Sequence, residues 1–171
     1  MKVLSYLLAS TALVATAASL PEKEAQAVVA QATAYRDAAA KGDADMVLQL
    51  THPALHTLFG GKEPFEMATR LALKTLAGRY VIEKITFGPP TALLVAGPDE
   101  ICFVPFVQVA SAGEIRTRAE SYYIAVRPAG KSDWKFIDAA GLRKNPEVLR
   151  QLFPNLPKEV VTPPNKVEII K

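Results

Sequence analysis

The hydrophobic period changes once along this chain, at Tyr80, and that change constrains the fold more than any other feature. Before it, apolar side chains recur at helical spacing; after it, they alternate with a period of two. Helices first and turn-linked strands second is the order of an α+β domain, with the helices on one face of an antiparallel sheet. The clearest part of the second half runs from Ser121 to Leu142. Tyr122, Ile124 and Val126 alternate with Tyr123, Ala125 and Arg127, so the two adjacent tyrosines point to opposite faces. Pro128 to Asp133 supply turn chemistry, and Trp134, Phe136 and Asp138 then share one face of a further strand. Lys135 and Ile137 take the other face.

The helical half is punctuated by glycine and proline. Pro21 opens a helix that runs to Lys41, with Ala25, Val28, Val29, Ala32, Tyr35 and Ala39 at helical spacing and Gly42 as its left-handed end. Asp43 caps a second helix, Ala44 to Leu50. Pro53 starts a new turn after His52, and Gly60-Gly61 breaks it. Pro64 opens a third long helix with Phe65, Ala68, Leu71, Ala72 and Leu76 inward, closed by Gly78. Strands are then predicted over Tyr80–Phe87, Thr91–Ala96, Glu100–Val109, Ile115–Arg127 and Trp134–Asp138. Pro105 in the third implies an edge or a bulge. Arg116, Arg118 and Glu120 share one parity and read as a solvent face. Asn145 to Leu152 reads as a short helix, and Val167 to Ile170 either adds a strand or frays.

A length of 171 residues fits one domain. Residues 1–17 read as a secretory signal peptide: Lys2 is the positive region, Val3 to Val14 the apolar core, and Ala15-Thr16-Ala17 the small-residue cleavage site. The apolar run is too short and too polar for a comfortable membrane span, so no stable span is expected after processing. The domain is expected over residues 18–157, with a proline-rich tail over residues 158–171. The chain is thus expected to be exported, periplasmic or secreted. Cys102 is the single cysteine, which leaves no internal disulfide, and its strand context reads as a buried, inert thiol. The formal charge of +3 is spread among acids rather than gathered into a basic patch. Nucleic acid is therefore not an expected partner.

Three segments carry a resemblance: Ala40-Lys41-Gly42-Asp43, Thr51-His52-Pro53 running into Phe59-Gly60-Gly61, and Trp134-Lys135-Phe136-Ile137-Asp138. Together with the order of elements they resemble the nuclear-transport-factor-2-like fold, also called SnoaL-like or ketosteroid-isomerase-like, as it occurs in small exported bacterial proteins. The resemblance spans residues 22–157. It implies N-terminal helices packed on a strongly curved antiparallel sheet, cone-like in outline, enclosing an apolar pocket with an Asp, His or Tyr inside. The fold hosts isomerases, cyclases, dehydratases and plain binding modules, so function has to be argued from the site.

The candidate ligand-binding residues are Tyr35, Trp134, Phe136 and Asp138, where the first helix and the last strand should face each other. Asp138 is read two ways. Within a closed cavity its pKa would rise and it would serve as a general base; otherwise it caps the loop Ala139 to Leu142 or pairs with an arginine. Tyr35 and His56 are the candidate partners for proton transfer. His52 and His56, four residues apart, are the candidate metal ligands, but two ligands alone do not make a site, and no metal is expected. There is no phosphate-cradling glycine loop, serine nucleophile elbow or paired-carboxylate signature, and no cofactor is expected. The expected function is an exported, non-catalytic module that binds a small apolar ligand or a protein partner in a concave pocket. The alternative is a small isomerase- or dehydratase-type enzyme using Asp138 with Tyr35 or His56. A third reading is a homodimer formed through the outer face of the sheet.

Overall fold

The computed structural model describes residues 19–171; the expected signal peptide, residues 1–17, lies outside the described residues. Helix α1 spans Glu22–Lys41 and ends at Gly42, whose φ of 72° lets its N–H turn back to the Ala39 carbonyl at 3.2 Å. Asp43 starts helix α2, Ala44–Leu50, by accepting the Met46 N–H at 3.1 Å. A single turn, α3, covers Leu55–Leu58. Helix α4 spans Lys62–Leu76, so Pro64 sits inside its first turn rather than opening it.

The inward face of α4 differs from the expected one. Phe65 is buried and Leu73 packs against the core, whereas Leu71 is 64% exposed. At about 100° per residue, Leu71 lies some 120° round the helix from Phe65. The helix leans on α2 and α3 through a narrow stripe, which leaves Met67 and Leu71 to solvent. Among the described residues no helix is long and apolar enough to cross a membrane.

Six antiparallel strands follow: β1 Val81–Phe87, β2 Leu94–Ala96, β3 Asp99–Ala112, β4 Ile115–Pro128, β5 Lys135–Asp138 and β6 Lys166–Ile170. Strands β3 and β4 pair over their whole length, from Asp99↔Pro128 to Ala112↔Ile115. The free edge of β3 takes β2 at one end and β1 at the other, and the free edge of β4 takes β5 and β6 in the same way. Residues 166–170, grouped by sequence with the proline-rich tail, are therefore part of the sheet. The sheet is open and not strongly curled, where a strongly curved, cone-like sheet was expected.

Pro105 lies in a central strand, not on an edge, and the reason it is tolerated is local. Successive groups on one side of a strand belong to alternate residues. Phe103 and Pro105 both turn toward the β1/β2 side, where the two short strands leave a gap. Across that gap Thr91 Oγ1 accepts the Phe103 N–H at 2.9 Å, and the Pro105 carbonyl accepts the Gly88 N–H at 2.8 Å. The missing donor of the proline thus faces no partner that needs it. The irregularity in pairing falls instead between Ile82 and Lys84 of β1.

Both faces of the sheet are covered. Cys102, Val104, Phe106, Tyr123, Ala125 and Phe136 face α1 and α2 and form a core with Val28, Ala32, Tyr35 and Trp134. Ile101, Phe103, Tyr122, Ile124, Val126 and Ile137 face the other way. They are covered by the 3-10 turn Ala139–Leu142, helix α5 (Val148–Leu152) and the segment through Leu156, which contribute Leu142, Leu149, Phe153 and Leu156. The expectation of helices on one face only is corrected here. Central strands apolar on both parities expose a second surface that has to be buried, and the proline-containing C-terminal segment buries it.

Arg127 is buried at the end of the first core. Its guanidinium reaches Glu100 at 2.8 Å and Glu24 at 3.0 Å and lies 4.5 Å from the centre of the Trp134 ring. Two carboxylates and an aromatic face offset the loss of its hydration. Arg116, Arg118 and Glu120 form the expected solvent face, paired with Glu83 of β1 and with Glu168 and Lys166 of β6. The outer face is thus divided between the chain's own C-terminal segment and these ion pairs.

Candidate functional site

A cleft of about 350 Å3 opens between the C-terminal ends of α1 and α4 and the half of the sheet that extends beyond the first core. Its helical walls are Ala39 and Ala40 of α1 and Leu73, Leu76 and Ala77 at the end of α4. Its sheet wall follows strand parity: Ile82, Phe106, Ala119 and Val167 all lie on the face toward the helices. The polar groups are Arg36, Tyr80, Gln108, Ser121, Tyr123, Asp138 and Arg143.

Arg36 and Gln108 are the centre of this polar set. Helical spacing from Val28 and Ala32 turns Arg36 inward, and it is 6% exposed. Its Nε donates to Gln108 Oε1 at 3.2 Å, while Gln108 Nε2 donates to the Tyr80 hydroxyl at 2.7 Å. Arg36 can only donate, so it fixes the amide oxygen of Gln108 toward itself and leaves the amide nitrogen for Tyr80. Gln108 follows Cys102, Val104 and Phe106 on the inward parity of β3, where the row of apolar residues gives way to the polar cleft.

Asp138 ends β5 and turns its carboxylate toward the cleft. Its Oδ1 accepts the Ala140 N–H at 2.8 Å and so starts the 3-10 turn, the capping role read from sequence. The residue keeps open surface, but that surface lines the cleft, and protein surrounds it on the other sides. Burial raises its pKa above the usual carboxylate range; the Ala140 N–H, Arg143 and Arg36 pull the other way without reversing it. The Tyr123 hydroxyl is held well above its ordinary pKa, first by burial and then by the charge of Asp138.

Of the candidate ligand-binding, proton-transfer and metal residues named from sequence, Asp138 alone lines the cleft; of the two adjacent tyrosines, Tyr123 is the one that joins it. Tyr35 lies within the core, stacked on Phe136 at 5.6 Å and edge-on to Tyr123 at 5.3 Å. Its hydroxyl is 3.5 Å from Thr51 Oγ1, and burial pushes its pKa up to about 12. Phe136 and Trp134 are buried in the same core and are packing residues. Burial likewise raises the Cys102 thiol to about 12, in keeping with an inert side chain.

The two histidines engage different partners. His52 Nδ1 accepts the Ala54 N–H at 3.2 Å, and its ring lies 5.6 Å from that of Phe153. The His56 ring packs on Phe65 at 5.2 Å. Among the described residues no group of three or more His, Cys, Asp or Glu side chains is placed to hold a metal ion.

The polar residues that sequence reading passed over are Arg36, Gln108, Tyr80 and Arg143. For the first two a signal was present. Arg36 falls on the Val28–Ala32 stripe, and Gln108 on the Cys102–Phe106 parity, so each is a polar residue at an apolar position. A scan of protein-family models, a search of curated proteins and a search of solved structures each return no match for this chain.

Proposed function

We propose that this chain is an exported, non-catalytic module that holds a small, mainly apolar molecule in the cleft between α1, α4 and the sheet. The observation that carries this reading is the make-up of the cleft: about 350 Å3, aliphatic and aromatic walls, and a few convergent polar groups. In such a pocket apolar contact supplies affinity and sparse polar groups fix orientation. Export rests on Lys2, the apolar run after it and Ala15-Thr16-Ala17. Kinship with nuclear-transport-factor-2-like proteins is part of the proposal. It rests on the order of elements and on a cleft between helices and sheet, not on sheet curvature.

One observation favours a second reading. Asp138, its pKa raised by burial, shares the cleft with Tyr123. An isomerase or dehydratase would use the Asp138 carboxylate as the base, with Tyr123 in the place expected for Tyr35 or His56. Native mass spectrometry of the protein purified from its own host separates the two. A small molecule bound and released unchanged supports the module, and its conversion during incubation supports the enzyme. Protein that carries no small molecule and takes up none from a host extract overturns both.

A further inference from the structure

The cleft holds a buried cation that has no close ion-pair partner among the described residues; Asp138 acts on it only at a distance. Arg36 is 6% exposed, and among the described residues no carboxylate oxygen lies within the 4.0 Å of an ion pair. Its one hydrogen bond to a side chain, to Gln108 Oε1, comes from a neutral amide, which orients the guanidinium without balancing its charge. A guanidinium carries five N–H donors. Only the Nε donor is used, and none of the guanidinium nitrogens is fully buried without a hydrogen bond, so the remaining donors are open to a partner of opposite sign. The other buried arginine, Arg127, shows the contrast, because it has two carboxylates of its own.

The cleft's charges favour an anion. Asp138 is the one carboxylate in the lining, and it is already engaged by the Ala140 N–H. Arg143 stands in the same lining, its Nε donating to Asn165 Oδ1 at 3.2 Å. Two guanidiniums against one carboxylate leave a single positive charge, which matches a monoanion. A dianionic phosphate would exceed it and face repulsion from Asp138. The planar fork of Arg36 suits a carboxylate, which it can meet through two parallel hydrogen bonds. Beyond the polar group, Leu73, Leu76, Ile82, Phe106 and Val167 offer only apolar contact.

We propose that the ligand is a small amphipathic carboxylic acid, its carboxylate seated on Arg36 and its apolar body lying between α4 and the sheet. The inference rests on the cleft being the binding site proposed above and adds the chemical class of its occupant. A volume of about 350 Å3 lies at the lower end of ligand pockets, so the apolar body is short, roughly eight carbons.

The probes are octanoate and octan-1-ol, which share a chain and differ in charge, titrated calorimetrically into the purified protein at pH 7.5. Octanoate is expected to bind at least tenfold more tightly. Arg36→Gln is expected to remove that preference while octan-1-ol binding stays within twofold. Because Arg36 is buried, Arg143→Gln at the exposed margin provides a second variant, expected to weaken octanoate severalfold and to spare the alcohol. Equal affinity for the two probes in the unmodified protein overturns the carboxylate assignment but leaves the cleft as a binding site. So does octanoate binding that neither variant weakens. Failure of both probes to bind overturns the assignment and the binding reading together.

Discussion

Tyr122 and Tyr123 are neighbours in sequence, yet their rings are buried in different cores. Tyr123 lies on the helix side of β4, 4.9 Å from Phe106 and 5.3 Å from Tyr35. Tyr122 lies on the opposite side, 5.3 Å from Phe103, under the C-terminal segment. A strand carrying large residues on both parities is stable only when both surfaces are covered. The stretch after β5 is therefore a structural layer rather than an appendage.

That relationship makes Phe153 a test. It follows the last residue of α5, belongs to no helix or strand, and is buried in the second core. Phe153→Ala is expected to destabilise the fold by about 3 kcal/mol, as for a large aromatic lost from a core. Chemical denaturation would read this as a lower urea midpoint at unchanged slope. A change of a few tenths would mean that the segment covers the sheet only loosely.

Trp134 and Lys135 give a sharper comparison, because they are adjacent and differ in depth. Trp134 is 1% exposed and lies beneath Arg127, so Trp134→Ala is expected to cost about 3–5 kcal/mol. Lys135 reaches the Gln49 carbonyl at 3.1 Å and Asp133 at 3.3 Å near the surface. Contacts of that kind contribute little, so Lys135→Ala is expected to change stability by less than about 1 kcal/mol. Equal shifts in urea midpoint would contradict this depth assignment.

His52 gives the fold a pH dependence with a definite sign. Burial lowers its pKa below the ordinary 6.5; His56 adds to that, and Asp99 opposes it. The folded state therefore holds the neutral ring, with Nδ1 free to accept the Ala54 N–H. The stability this contributes is fully present above pH 6.5 and is lost as pH falls through the lowered folded pKa. An Asn at this place can accept the same N–H without titrating. Between pH 7.5 and 5, stability is expected to fall more steeply in the native protein than in His52→Asn, measured by urea denaturation at each pH. Parallel pH profiles would remove His52 as a titrating element.

The sequence made the helices and strands legible because their signals are local. Gly42 and Asp43 each act within a few residues, and the strands of the second half are bounded by local turn residues. What it did not show depends on distant partners. Pro105 suggested an edge because the gap between β2 and β1 is set by the pairing of separate strands. Trp134, Phe136 and Asp138 share a parity, but only the last reaches the cleft, because α1 closes over the first two. Tyr35 drew attention as a polar aromatic, whereas its neighbour Arg36 points to the cleft. An arginine at an apolar helical position was the available sign.

Asp138 is the residue through which stability and function are expected to diverge. Its pKa is raised in the folded state, so the sign is opposite to that of an ion-paired carboxylate. Its contribution is fully present below the ordinary 3.8 and is lost as pH rises through the higher folded value. Asp138→Asn keeps an oxygen for the Ala140 N–H and removes the charge. The variant is therefore expected to be at least as stable as the native protein at pH 7, with the difference shrinking toward pH 3. Thermal unfolding across that range measures it, and a variant much less stable at pH 7 would contradict the raised pKa of this carboxyl. Binding then separates the two functional readings. In a binding module, octan-1-ol affinity should stay within about tenfold, since one neutral hydrogen bond is worth about 1 kcal/mol. Octanoate affinity should rise, because a negative charge leaves the cleft that holds Arg36. In a proton-transfer enzyme the same substitution removes the base, and turnover of the native ligand should fall by roughly a hundredfold or more.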